Sequence, residues 1–282
     1  EAAKRNEVIL PTSRGCPYST DSCTFCSVGM QYMDSYREVP FRVWSADILS
    51  VLKAQLFTHI ELEDENSAIA IKESKPYLPF LKKMGITTHL HLRSDQLLDE
   101  KRVQWMADMG VIRVHVGVES GSERVLNQVM YKHESVATHF VAAKNLAKAK
   151  IELVATYIVA NPTETWSEIR QTLQLADDLK AIFPQEGSRA TVYVLAAFPG
   201  TPIFEDISRM HAFCALMERL KQEYDLDPHE KLPPENGVVE ALSSWLKTGK
   251  ESGCGTPTRK AAETVQPTLK AYLAGNATFG EL

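Results

Sequence analysis

Three successive β-like segments of this chain each carry one wholly polar face. In residues 58–63, His59, Glu61 and Glu63 alternate with Ile60 and Leu62. In 87–93, His89, His91 and Arg93 alternate with Leu90 and Leu92. In 111–119, Arg113, His115, Gly117 and Glu119 alternate with Ile112, Val114, Val116 and Val118. Helical periodicity separates the three, the pattern of parallel strands joined by crossover helices. A parallel strand packed between helices is apolar on both faces. Three polar faces therefore need a polar space to point into, and a barrel lumen holding a charged ligand supplies one. An antiparallel sheet with one wet face alternates in the same way, and the intervening helices argue against it.

Further β-like runs at 8–12, 152–159 and 190–197 complete six βα units before Pro199. Helices are expected at 45–57, capped by Ser45 with Ile48, Leu49, Leu52 and Leu56 on one face, and at 76–84 and 97–109, stopped by Gly85 and Gly110. Others are expected at 123–130, 135–150 and 167–183. Beyond 203 the alternation stops. A long helix over 203–224, a proline-rich stretch over 225–237 and helices at 238–246 and 261–273 are the expectation there.

Cys16, Cys23 and Cys26 fall within one short loop after the first strand, while Cys214 and Cys254 lie far downstream. Thiolates from a tight turn converge on one metal centre. A structural zinc site needs four protein ligands, and no fourth Cys or His is near. Three ligands suit an iron–sulfur cluster with one iron open to a non-protein ligand.

The chain has 282 residues and is 44% hydrophobic, enough to bury a sizeable core. A net charge of -5 gives no polyelectrolyte signature and leaves RNA open as a substrate. Clustered thiols without a disulfide framework point to a reducing, cytoplasmic setting. No apolar run has the length of a membrane span. The chain starts at Glu1 rather than Met, so further protein upstream is expected.

Three strings carry a family resemblance: Ser13-Arg14-Gly15-Cys16-Pro17 through Cys23-Thr24-Phe25-Cys26, His115-Val116-Gly117-Val118-Glu119-Ser120-Gly121-Ser122-Glu123-Arg124-Val125-Leu126, and Phe198-Pro199-Gly200-Thr201-Pro202. In this order the sequence resembles a radical S-adenosylmethionine (SAM) enzyme, most similar to the radical SAM core of the cobalamin-dependent branch. The resemblance implies an α/β fold, a partial (β/α)6 TIM-like barrel over 1–202, with a helical C-terminal extension over 203–282 covering the barrel opening. It implies that Cys16, Cys23 and Cys26 hold a [4Fe–4S] cluster and that Phe25 packs near the adenine of SAM. It also implies that Asp64 and Glu65, in the acidic end of the second strand, hold the amino group. Glu119 would meet the ribose or amine, and Arg93 the carboxylate. The implied activity is reductive cleavage of SAM to a 5′-deoxyadenosyl radical that abstracts hydrogen from a small molecule or peptide, with radical methylation among the outcomes. Flavodoxin or ferredoxin would supply the electron, and cobalamin would take part if an upstream domain provides it. The alternative is a non-catalytic iron–sulfur or zinc scaffold on the same fold.

Two features depart from the family pattern. The interval between Cys16 and Cys23 is six residues where three are usual, and Ala160-Asn161-Pro162-Thr163-Glu164 lacks the usual glycines after the fifth strand. Other residues have structural readings first. His89 and His91 line the lumen before they bind a metal, and Tyr157 and Tyr193 fill the barrel before they donate hydrogen. Asp227-Pro228-His229-Glu230 is an incomplete cobalamin-ligating string, and Cys254 an incidental loop thiol.

Overall fold

The computed structural model describes residues 7–18, 23–33, 35–54, 57–183 and 188–204. Its strands are β1 (Glu7–Ile9), β2 (Ser13–Arg14), β3 (Arg37–Glu38), β4 (His59–Leu62), β5 (Thr87–Leu92), β6 (Val111–Glu119), β7 (Glu152–Val159) and β8 (Arg189–Val194). The helices are α1 (Val28–Tyr32), α2 (Phe41–Ala54), α3 (Tyr77–Lys83), α4 (Glu100–Asp108), α5 (Val136–Lys148) and α6 (Trp166–Ala181). Six strands pair in parallel in the order β1-β4-β5-β6-β7-β8 and curl into a half-barrel. The fold expected from the sequence is the one observed. The extension expected over 203–282, with Cys214 and Cys254, lies outside the described residues except for 203–204.

The two faces of the sheet divide as the alternation requires. Ile60, Leu62, Leu90, Leu92, Val114, Val116, Leu153, Ala155 and Tyr157 point outward and are buried beneath the helices. His59, Glu61, His91, Arg113, His115 and Thr156 point into the lumen and stay half-buried. Truncating one of the outward leucines or isoleucines to Ala removes about 2–5 kcal/mol. On the outer layer Trp44 of α2 meets Tyr77 of α3 edge-on at 5.1 Å, with Phe41 5.6 Å from Phe80, so an aromatic cluster fastens the two helices.

Most helix boundaries follow local chemistry. The Ser135 side chain accepts from Thr138 N, and Thr165 with Glu168 forms a reciprocal capping box at α6. Gly85 and Gly110 take the left-handed conformation after α3 and α4, at φ +72° and +90°. Three expectations need correction. Ser45 does not cap α2, which starts after Pro40, whose carbonyl accepts from Val43 N and Trp44 N. The helix expected over 97–109 splits into a 3-10 turn at Ser94–Leu97 and α4, because the Asp99 carboxylate accepts from Lys101 N and Arg102 N and so starts a new helix. The helix expected over 123–130 is present but is π-helical rather than α-helical at Val125–Val129. Among the described residues no helix is long and apolar enough to cross a membrane.

His139 on α5 is buried, with its Nδ1 2.7 Å from the Ser94 hydroxyl. Burial pushes its pKa down to about 3, and the Lys132 and Arg93 charges push the same way. A depressed histidine pKa means that the unfolded chain binds a proton that the folded chain refuses, so stability falls as pH drops below about 6.5. We expect unfolding free energy, followed by urea denaturation between pH 7 and 4, to slope by about 1.4 kcal/mol per pH unit for this proton. His139→Asn, which keeps a polar partner for Ser94, should remove that share of the slope.

Candidate active site

The C-terminal ends of the parallel strands, where a parallel barrel gathers its reactive groups, carry the cysteine loop and a buried charge network. The root of the loop is held by the acidic end of β4. Asp64 is buried and accepts from Thr12 N, Thr12 Oγ1 and Ser13 N, each at 2.7 Å. Glu65 Oε2 accepts from Gly15 N at 3.1 Å. The carboxylates expected to meet a ligand therefore engage the loop, and Asp64 has both oxygens in those bonds. The second half of the loop hangs on the π-helical turn. Cys23 N donates to the Tyr131 carbonyl, Thr24 N to the Met130 carbonyl and Thr24 Oγ1 to the Val129 carbonyl. Phe25 packs against Leu195 and Ile203.

The three thiols are close enough to repel one another as thiolates. Burial pushes Cys26 up to about 11, with Cys23 and Cys16 adding to the effect, and burial also raises Cys16. A cluster of iron ions is the kind of cation that makes three crowded thiolates favourable, so this donor set fits an iron–sulfur centre.

Opposite the loop, Glu119 ends β6 at φ +68°, a left-handed position rare for glutamate. A register shift between Gly117 and Glu119 turns the carboxyl back over the strand. A Cβ on Gly117 would lie 2.1 Å from Glu119 Oε1, so only glycine leaves room for this fold-back. Lys132 Nζ lies 3.3 Å from Glu119 Oε1 and 3.7 Å from Glu134 Oε2. Arg93 donates to the Lys132 carbonyl at 2.6 Å, lies 3.4 Å from Asp95 and 3.9 Å from Glu134, and stacks 4.4 Å over the Tyr18 ring. Tyr18 belongs to the long Cys16–Cys23 interval, so Arg93 is a seat for the inserted residues as well as a charge. Burial raises the Glu119 pKa against the pull of Lys132. Burial works to lower that of Lys132, yet Glu119 and Glu134 hold it up. Two cations, Arg93 and Lys132, thus face three carboxylates, Asp95, Glu119 and Glu134.

Sequence reasoning missed Tyr18, Lys132 and Glu134. The last two sit in the charged run 131–134 that follows the Glu119 motif, a signal that was present but looked like an ordinary loop. Tyr157 takes the packing role that its sequence setting suggested first. It is wholly buried on the outward face, where its nearest charge is Asp177 of α6, and its pKa is raised by burial. After β7, Ala160 adopts φ +64° and Thr163 φ +63°, so the backbone shape that glycine normally takes persists without the glycines. Glu164 Oε2 accepts from Asn161 N and Nδ2, and burial pushes this carboxyl up to about 7.

A parallel half-barrel with three thiols beside buried carboxylates at its C-terminal rim defines an α/β-barrel protein built for a metal cluster and a charged ligand. The chain belongs to the radical SAM superfamily, whose family model matches residues 10–176. That family uses a [4Fe–4S] cluster and SAM. The chain is 26% identical over 200 residues to an uncharacterized methyltransferase of Pyrococcus horikoshii, covering 70% of this chain and 41% of the relative. Its fold matches the radical S-adenosylmethionine methyltransferase TsrM of Kitasatospora setae at TM-score 0.60 and 17% identity, over 74% of this chain and 40% of TsrM. It matches the cobalamin-dependent S-adenosylmethionine radical enzyme OxsB at TM-score 0.56 and 16% identity, over 94% of this chain and 46% of OxsB. The chain spans less than half the length of each of these relatives.

Removing the central cation exposes how the network is held. Lys132→Met leaves Glu119 and Glu134 buried without it, and we expect a loss of about 3–5 kcal/mol in unfolding free energy by denaturant titration. Adding Glu119→Gln to that variant should restore part of the loss.

Proposed function

We propose that this chain is the catalytic core of a radical SAM enzyme acting on a small molecule or peptide in the cytoplasm. The observation that carries the reading is the pocket beside the three thiols, in which the buried Glu119 and Glu134 share Lys132 and Arg93 while the partly exposed Asp95 at its edge adds a third carboxylate to two cations. Such a pocket favours a cationic ligand, and the sulfonium and ammonium of SAM are cations. With cluster and SAM bound, the cofactors supply a reductively generated 5′-deoxyadenosyl radical that abstracts hydrogen from substrate.

The protein's own part is positioning and shielding. Cys16, Cys23 and Cys26 would hold the cluster. Glu119, turned back over Gly117, would accept from the ribose or amine of SAM. Glu65, which accepts from Gly15 N and from the Tyr32 side chain, would turn toward the same ligand, while Asp64 serves by fixing Thr12 and Ser13 at the loop root. Arg93 would meet the carboxylate of SAM at the edge of its contacts with Asp95 and Glu134. Phe25, with Leu195 and Ile203 behind it, offers an apolar wall to the adenine. Radical methylation is the outcome we favour, since a methyltransferase and TsrM are among the similar proteins. Cobalamin would then come from protein outside these residues, and the electron from a flavodoxin or ferredoxin.

Anaerobic reconstitution followed by dithionite and SAM tests the reading, with 5′-deoxyadenosine measured by chromatography. We expect product from the wild-type chain, none from Cys23→Ala, and a raised KM for SAM in Glu119→Gln. A well-formed [4Fe–4S] spectrum without 5′-deoxyadenosine would overturn it.

A further inference from the structure

Below the rim the lumen holds a second group of ligating side chains. Glu61 on β4, His91 on β5 and His115 on β6 present one carboxylate oxygen and two imidazole nitrogens, all within 4.8 Å of one another. His91 Nε2 lies 2.8 Å and His115 Nε2 4.0 Å from Glu61 Oε1. Around a divalent ion with bonds of about 2.0–2.2 Å, neighbouring donor atoms stand roughly 3.0–3.4 Å apart. The observed separations bracket that value, so shifts of an ångström or less in side-chain position bring the three donors onto one ion.

The backbone holds the donors in this arrangement. His91 and His115 are register partners on adjacent parallel strands, and their rings stack at 4.5 Å. Ser67 N donates to the His91 carbonyl at 2.7 Å, and the buried Ser67 hydroxyl accepts from His91 N while donating to the Leu62 carbonyl. The end of β4 and the His91 backbone are thereby tied together. The three side chains are 21%, 30% and 28% exposed for Glu61, His91 and His115, half-buried with one side open to the lumen.

We propose that Glu61, His91 and His115 bind a divalent transition-metal ion, with the remaining coordination positions facing the lumen. Two histidines and one carboxylate with open positions form the donor set that suits Fe(II) and related ions. The site is separate from the thiol site. His91 lies two residues before Arg93 and His115 four before Glu119, a depth of about 7–13 Å at about 3.3 Å per strand residue. An ion at that depth, under the rim, would coordinate an oxygen donor such as a carboxylate or hydroxycarbonyl, which assigns substrates of that class to the lumen. That last step rests on the radical SAM reading, whereas metal binding does not.

The test uses the cluster-loaded, oxidised chain, whose [4Fe–4S]2+ centre is diamagnetic, so that added Mn2+ is read cleanly by electron paramagnetic resonance. We expect one Mn2+ per chain to lose its free six-line signal, with electron spin-echo modulation showing 14N coupling from two imidazoles. His115→Asn and Glu61→Gln should each weaken binding by more than about tenfold. Absence of 14N coupling, equal binding in His91→Asn and wild type, or no bound Mn2+ would each overturn the proposal. None of these results alters the yield of 5′-deoxyadenosine expected from the separate SAM assay.

Discussion

The ammonium of Lys132 ties together three parts of the active end. Two unit charges about 4 Å apart attract by about 4 kcal/mol at the effective dielectric of a protein surface, and burial costs each ion several kcal/mol in hydration. A lone pair would gain little. Lys132 meets two carboxylates, Glu119 and Glu134, while its own carbonyl takes a bond from Arg93. The residues just before it, Val129 to Tyr131, give their carbonyls to Cys23 and Thr24. One short segment thus fixes the second half of the thiol loop, the end of β5 and the end of β6. Tyr131 and His133 hold left-handed backbone at φ +49° and +56°. Strain of that kind costs about 1–3 kcal/mol per residue and persists because the network around it has no looser arrangement.

The carboxylates on the other side of the loop act differently because their neighbours differ. Asp64 is surrounded by donors from one loop, two backbone N–H groups and a hydroxyl. Buried backbone N–H groups need acceptors, and a loop leaving a strand has no sheet partner to supply them. Glu119 faces a single ammonium and otherwise a cavity-side environment that raises its pKa. Both are acids at the end of a parallel strand. One completes the backbone's hydrogen bonds and the other balances a buried ammonium.

This difference explains what the sequence made legible. Strand identity, parallel pairing and the lumen face follow from a period of two, a property of consecutive residues. The thiol loop is equally local, as is the Glu119 motif. The partners of Lys132 and Arg93 are not, because they depend on where 129–134 returns across the barrel mouth. Nor could an acidic string at 63–65 reveal whether its oxygens face backbone donors or open space. Tyr157 is packed, as its sequence setting suggested, but its face was not legible: a tyrosine in a strand fits either face, and its neighbours Ala155 and Val159 assign it to the outward one. The left-handed Ala160 shows the converse, a backbone shape kept after its characteristic residue is gone.

Rim and floor of the barrel are therefore under different constraints. At the rim, the charge network and the thiol loop rest on irregular backbone: a register shift at Gly117–Glu119, a π-helical turn, and residues with positive φ. A substitution there must preserve several interlocked contacts, and a Cβ at Gly117 would displace the Glu119 carboxyl directly. On the floor, Glu61, His91, Arg113 and His115 project from regular strand, where pairing is fixed by backbone hydrogen bonds and by the apolar outward face. Their side chains can be exchanged without shifting the register. In a fold arranged this way the groups around the thiols are locked to one another, whereas those on the floor are held one by one by the sheet.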